Sequence, residues 1–158
     1  METIELKPLD RKLLRLMQVR GAIAGLLVLA AAGAGEGLAD RLAPLPFGFL
    51  IGPAFLVFLY VALVAPPRRY RAWAYGMDRE ELQVRRGVLT RVHTVVPLDH
   101  VQHIDVSQGP LERAFGICSL ILHTAGTLNS QIVLPGLDRD SAERMRDEIR
   151  GRIDEAPE

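Results

Sequence analysis

A chain of 158 residues, 49% of them apolar and with a formal net charge of zero, has room for one ordinary domain and lacks the basic field that draws nucleic acid. Its single cysteine, Cys118, excludes an intramolecular disulfide framework and a Cys-pair metal knuckle, and fits a reducing compartment. The slightly positive mean hydropathy hides a division, because residues 21–65 carry only Glu36, Asp40 and Arg41 as charges while residues 66–158 are charged throughout. The apolar excess is local, as in a membrane protein.

Residues 1–20 read as a cytoplasmic segment leading into a first apolar stretch. Only Gly21 to Gly35 is free of charge there, but extension back through Leu13, Leu14, Leu16, Met17 and Val19 reaches a spanning length of about 16–36 if Arg15 and Arg20 snorkel to the headgroups. Gly21 with Gly25, and Ala30 with Ala34, would then allow close contact with a second helix. The rival reading is a cleaved signal peptide, with small residues around Ala30, Ala32 and Ala34 as the cleavage site. A second apolar span follows at once, which suits a hairpin better.

That second span is Leu42 to Ala65, 24 residues without a charge and longer than the roughly 30 Å hydrocarbon layer at about 1.5 Å per residue. Pro44 and Pro46 place the helix start near Phe47, and Pro53 is expected as a kink inside the bilayer. Lys7, Arg11, Lys12, Arg15 and Arg20 precede the first span and Arg68, Arg69 and Arg71 follow the second, against Arg41 alone in the connection. Both termini are therefore expected in the cytoplasm. Tyr60, Tyr70, Trp73 and Tyr75 resemble an interfacial aromatic belt, although Trp73 and Tyr75 also fit the start of a first strand packed in a domain core.

From about Tyr70 the pattern becomes short alternating runs separated by turn residues, which predicts strands through Pro135. Leu82 and Val84 alternate with Gln83 and Arg85, Gly87 marks a turn, and Val88, Thr90, Val92, Thr94 and Val96 share one face of the return strand. Val101 to Ser107 is a further strand, with Ile104 and Val106 on one face and His103 and Asp105 on the other. Cys118–Thr124 and Ser130–Leu134 form another hairpin, joined around Gly126 and Asn129. After Asp138, the spacing of Asp140 and Glu143 resembles a capping box, and Ala142, Met145 and Ile149 share one helical face. Residues 70–152 are thus one mainly-β domain closed by a C-terminal helix, with 153–158 as a tail.

Taken together, Leu82 through Gly87, Val96-Pro97, Val101-Gln102, Val106, Gln108-Gly109-Pro110-Leu111, Arg113, Phe115-Gly116 and Thr124-Ala125-Gly126 resemble the bacterial membrane-flanked pleckstrin-homology-like domain family over roughly Met77 to Arg150. The chain departs from many relatives at His100, where they carry Arg or Lys. The resemblance implies a bent antiparallel sheet or partly open barrel of about seven strands with a C-terminal helix, after two membrane helices. It implies structural roles for Gly87, Pro97, Gln102, Gln108, Pro110, Arg113, Phe115, Gly116 and Gly126. It also suggests, as partner, a larger homologue carrying several such domains.

No catalytic constellation is legible: Ser107, Ser119 and Ser130 lack a nucleophile elbow, and Gly109-Pro110 with Gly116 lacks the order of a phosphate-binding loop. His93, His100, His103, His123 and Cys118 lack the paired spacing of a metal site, so no metal and no cofactor are expected. The chain therefore reads as a membrane-anchored, non-enzymatic binding or assembly module of the inner membrane, meeting another membrane protein or a second copy of itself. The alternative is recognition of anionic lipid headgroups. Candidate contacts with partner or lipid are Arg68, Arg69, Arg71, Arg85, Arg86 and Arg91.

Overall fold

The uncharged stretches form helices and the alternating stretches form strands. The computed structural model describes residues 5–42, 46, 48–78, 80–124 and 131–155, and separates into a helical unit, Leu14–Arg69, and a strand-rich unit made of Met1–Leu13 with Tyr70–Glu158.

In the helical unit, α1 (Arg11–Leu42) is continuous, and a second helical run passes through α2 (Ile51–Leu59), a π-helical turn (Tyr60–Val64) and α3 (Ala65–Arg71). The stretches Arg11–Asp40 and Ile51–Arg71 are each long and apolar enough to cross a membrane. The second helix starts at Ile51 rather than near Phe47, so Pro53 falls in its first turn, where a missing N–H has no intrahelical partner to lose. An irregularity comes later, where the Ala65 N–H donates to the carbonyl of Tyr60, five residues back. Pro66 and Pro67 follow; neither can donate, and a proline ring collides with the carbonyl four residues before it, so a widened turn is the local solution.

Gly21 and Gly25 face the second helix: a Cβ at Gly21 would run into the carbonyl of Val61, and one at Gly25 would lie 2.8 Å from Phe58 Cδ2 and 3.0 Å from its Cα. Ala30 and Ala34 are exposed. Glu36 is buried, and its carboxylate accepts the N–H groups of Gly48, Leu50 (3.3 Å) and Ile51 (3.1 Å), neutralising the orphan donors at the start of α2.

The strand-rich unit holds two antiparallel three-stranded sheets, ordered β1 (Ala74–Met77), β2 (Glu81–Arg86), β3 (Val92–Pro97) and β4 (Val101–Ser107), β5 (Ile117–Thr124), β6 (Gln131–Asp138). A 3-10 turn, Leu98–His100, joins β3 to β4. Lys7 forms an isolated antiparallel bridge with Tyr75, exchanging backbone hydrogen bonds of 2.7 and 3.0 Å on the outer edge of β1. Tyr75 belongs to β1, Trp73 is half-buried before it, and the Tyr70 hydroxyl donates to the carbonyl of Leu9 at 2.6 Å.

Leu82, Val84, Val96, Ile117, Leu120, Leu122 and Leu134 are buried from the two sheets, and Ala142 and Ile149 of α5 (Arg139–Glu155) are buried with them. β6 runs past Leu134 because Pro135 and Gly136 together oppose the single residue Ser119, a bulge that spares the proline a ladder bond. The cap of α5 is Asp138, whose carboxylate accepts the Ser141 N–H at 2.9 Å, rather than Asp140; Glu143 instead pairs with Arg139 at 2.9 Å. The capping residue is the one that ends the strand, since only there does the backbone leave the helical region.

Candidate functional site

The β2–β3 hairpin holds the surface that stands out. The return strand begins at Val92, four residues later than the alternation suggests, and residues 87–91 form the turn. Gly87 has φ +102°, and a Cβ there would strike the carbonyl of Thr90, so only glycine closes this turn without strain. Val88 and Thr90 therefore leave the strand face, and Leu89 stands at the tip, 98% exposed.

Among the described residues, every exposed large apolar side chain of the strand-rich unit lies on this hairpin: Val88, Leu89, Val92 and Val95. β3 pairs with β2 on one side, and its other side has no strand partner among the described residues. The structure brings Arg85, Arg86 and Arg91 to the same turn, with Arg85 opposite His93 and Arg86 opposite Val92. Arg68, Arg69 and Arg71 are exposed along the short helix α3. An open cleft at the other end of the β2–β3 pair is lined by Glu80, Glu81, Pro97, Leu98, Asp99 and Arg152, and its acidic rim suits no anion.

The segment Gln108–Gly116 is a capped helical turn, α4 (Pro110–Ala114). Gly109 precedes it, Pro110 takes the first position where its fixed φ fits and its missing N–H costs nothing, and the Glu112 carboxylate returns to accept the Gly109 N–H at 2.8 Å. Gly116, at φ +64°, ends the turn, and the Gln108 side-chain amide donates to the carbonyl of Ile117 at 2.9 Å. Glu112 also accepts from the Ser119 hydroxyl at 3.3 Å, and the Arg113 guanidinium is exposed. Phe115 is half-buried, so truncation there removes less packing than at a core position. Pro97 is exposed at the end of β3, Gln102 is exposed where the β4–β5 register shifts, and Gly126 lies outside the described residues.

One cluster escapes sequence spacing. Cross-strand register sets His103 opposite His123, and Asp105 lies between them, Oδ1 2.9 Å from His103 Nε2 and Oδ2 3.3 Å from His123 Nε2. Pairing two residues twenty apart depends on register, which alternation does not reveal. His100 is held by Asp99 at 2.8 Å. Among the described residues, no group of three His, Cys, Asp or Glu is arranged to hold a metal ion. Burial first, and then the charges of Asp138 and Glu112, push the Cys118 thiol above its ordinary range, so it is kept protonated and inert.

Comparison with known proteins agrees with this architecture. The family described as Bacterial PH domain matches residues 22–153. The UPF0699 transmembrane protein YdbS of Bacillus subtilis (strain 168) is 32% identical over 101 residues, covering 64% of this chain. The chain spans 58% of the length of that relative. No solved structure matches it significantly.

Proposed function

The chain belongs to the bacterial PH domain family, and from that premise we propose that it is a non-enzymatic binding and assembly module of the inner membrane, whose PH-like domain docks on another membrane protein. In this reading two helices span the bilayer and both termini lie in the cytoplasm, as the excess of Lys and Arg outside the hairpin favours. The observation that carries it is the edge strand β3, which presents Val92 and Val95 to solvent beside a backbone edge that no strand pairs with among the described residues. Such an edge accepts an added strand, and exposed apolar side chains gathered on one element mark interaction surfaces. A larger homologue with several such domains is the expected partner, and a second copy of this chain meets the same requirement.

A photoreactive amino acid in place of Val95, in the full-length protein in native membranes, should give one discrete adduct whose mass-spectrometric identity is a membrane protein or the chain itself. The same group in place of Arg144, exposed on α5, should give none. Equal, diffuse labelling at both positions would sink the reading. Topology is tested separately: alkaline phosphatase fused after Glu158 should be inactive, and a fluorescent protein that needs the cytosol should be bright. The reverse pattern would place the domain outside the cytoplasm and favour a cleaved first segment with one remaining span. A second reading, recognition of anionic lipid headgroups, is favoured by Arg85, Arg86 and Arg91 meeting at one turn.

A further inference from the structure

The tip of the β2–β3 hairpin combines an apolar point with a ring of positive charge. Leu89 is 98% and Val88 46% exposed, on a turn too tight to fold them back because Gly87 abuts the Thr90 carbonyl. Arg85, Arg86 and Arg91 surround the base of the turn, and no Asp or Glu occurs between Glu81 and Asp99. The hairpin is electrically polarised along its length. Arginines cluster at the tip, while Glu80, Glu81 and Asp99 lie at the opposite end, about 15–20 Å away at 3.3 Å per strand residue. In an anionic bilayer surface, phosphates draw the tip and repel the far end, and hydrocarbon lies just beneath for the leucine. A dry protein pocket could take Leu89, but three arginines without an adjacent acid would then be desolvated unpaired unless the partner supplied matching carboxylates.

We propose that this tip is a membrane wedge, with Val88 and Leu89 entering the apolar layer of an anionic bilayer while Arg85, Arg86 and Arg91 lie among its phosphates. The wedge rests on the headgroup reading and deepens it by naming the contact. It also gives the domain a lipid anchorage separate from the two helices.

The test uses the full-length chain in nanodiscs of phosphatidylcholine with or without phosphatidylglycerol. An environment-sensitive nitrobenzoxadiazole label is attached at Thr90→Cys, which leaves Val88 and Leu89 in place; the unmodified chain checks that buried Cys118 stays unlabelled. In phosphatidylglycerol discs the emission should shift to the blue and be quenched by brominated lipid, and a label at Arg144→Cys should stay water-like. Leu89→Asp should return the emission to its water value. Replacing Arg85, Arg86 and Arg91 together by Gln should lower the inserted-to-free ratio on the order of 100-fold, from roughly 1 kcal/mol per arginine.

A water-like label at residue 90 in phosphatidylglycerol discs overturns the wedge. A phosphatidylglycerol analogue with a photoreactive headgroup then separates the two readings. Adducts to the hairpin alongside a wet label keep headgroup recognition and reject insertion, whereas absence of both rejects both. Shielding that occurs in native membranes and never in protein-free lipid also overturns the wedge, in favour of a protein contact.

Discussion

The two units use the same apolar residue types in opposite ways. In the helical unit Leu16 is fully buried near its start, but from there on the leucines point outward, with Leu26, Leu27, Leu56 and Leu63 between 54 and 67% exposed, and the buried residues are Gly25, Glu36, Ala54, Ala62 and Pro66. In the strand-rich unit Leu82, Leu120, Leu122 and Leu134 are fully buried. The inversion follows from the surroundings each surface suits. Hydrocarbon makes no distinction between a leucine outside and one inside, so helix contact is left to small residues and backbone approach, whereas water drives the leucines of the domain inward. Among the described residues of the domain, the apolar-side-out pattern recurs only on the β2–β3 hairpin.

The sharpest way to break this comparison is to make one substitution in both units. Leu122→Ala should destabilise the domain by about 2–5 kcal/mol through lost transfer energy and a residual cavity, read as a lowered denaturation midpoint of the full-length protein. Leu27→Ala, on the outer face of α1, should shift the stability of the helical pair by well under about 1 kcal/mol. Similar costs at the two sites would mean that Leu27 is packed against protein.

Small-residue contact is next. Gly25→Val should cost about 1–3 kcal/mol, since the added atoms must displace the Phe58 backbone as well as its ring. Limited proteolysis of the connection between α1 and α2 in detergent should accelerate in this variant and not in Gly33→Val, where a Cβ meets nothing within 4 Å. Gly87→Val should cost about 1–2 kcal/mol from the left-handed backbone alone, seen as a lower domain midpoint. An unchanged midpoint would mean that the turn relaxes, and with it the rigid presentation of Leu89.

The smallest effect concerns the cap of α5. Asp138→Ala should cost about 1 kcal/mol at neutral pH. The Ser141 hydroxyl and then the Ser141 N–H hold the Asp138 carboxyl below its ordinary value of 3.8. A carboxyl lowered on folding contributes stability above the unfolded value and loses it as pH falls through the folded one. The gap between native chain and variant should therefore be constant above about pH 5 and close below pH 3.8. A gap that persists unchanged into that acid range would show that the charge of Asp138 is not what caps the helix.

Local pattern carried most of the architecture. The strand from Val101 to Ser107 and the buried face of α5 follow from alternation and helical spacing, because each residue's environment there is set by neighbours two, three or four positions away. The Gln108–Gly116 motif was legible as loop geometry, and the structure adds the reason, a five-residue helix capped at both ends. Where the sequence reading missed, a tertiary constraint overrode the local one. Gly87 closes against the Thr90 carbonyl and so removes Val88 from the strand. The end of β6, not the first acidic pair, decides where α5 is capped. Lys7 joins the edge of β1 through backbone groups that no side-chain pattern records.

By itself, then, the sequence determined that two long apolar helices precede a mainly-β domain, and which faces of the strands and of α5 are apolar, since these depend on composition and period within one segment. Only the tertiary structure decided that Gly21 and Gly25 meet the second helix, that Glu36 caps α2, that His103, Asp105 and His123 converge, and that three arginines and one wholly exposed leucine share a single tip. Each of these depends on register or approach between segments distant in the chain or folded back on themselves, and the periodicity within a segment is the same for every such arrangement.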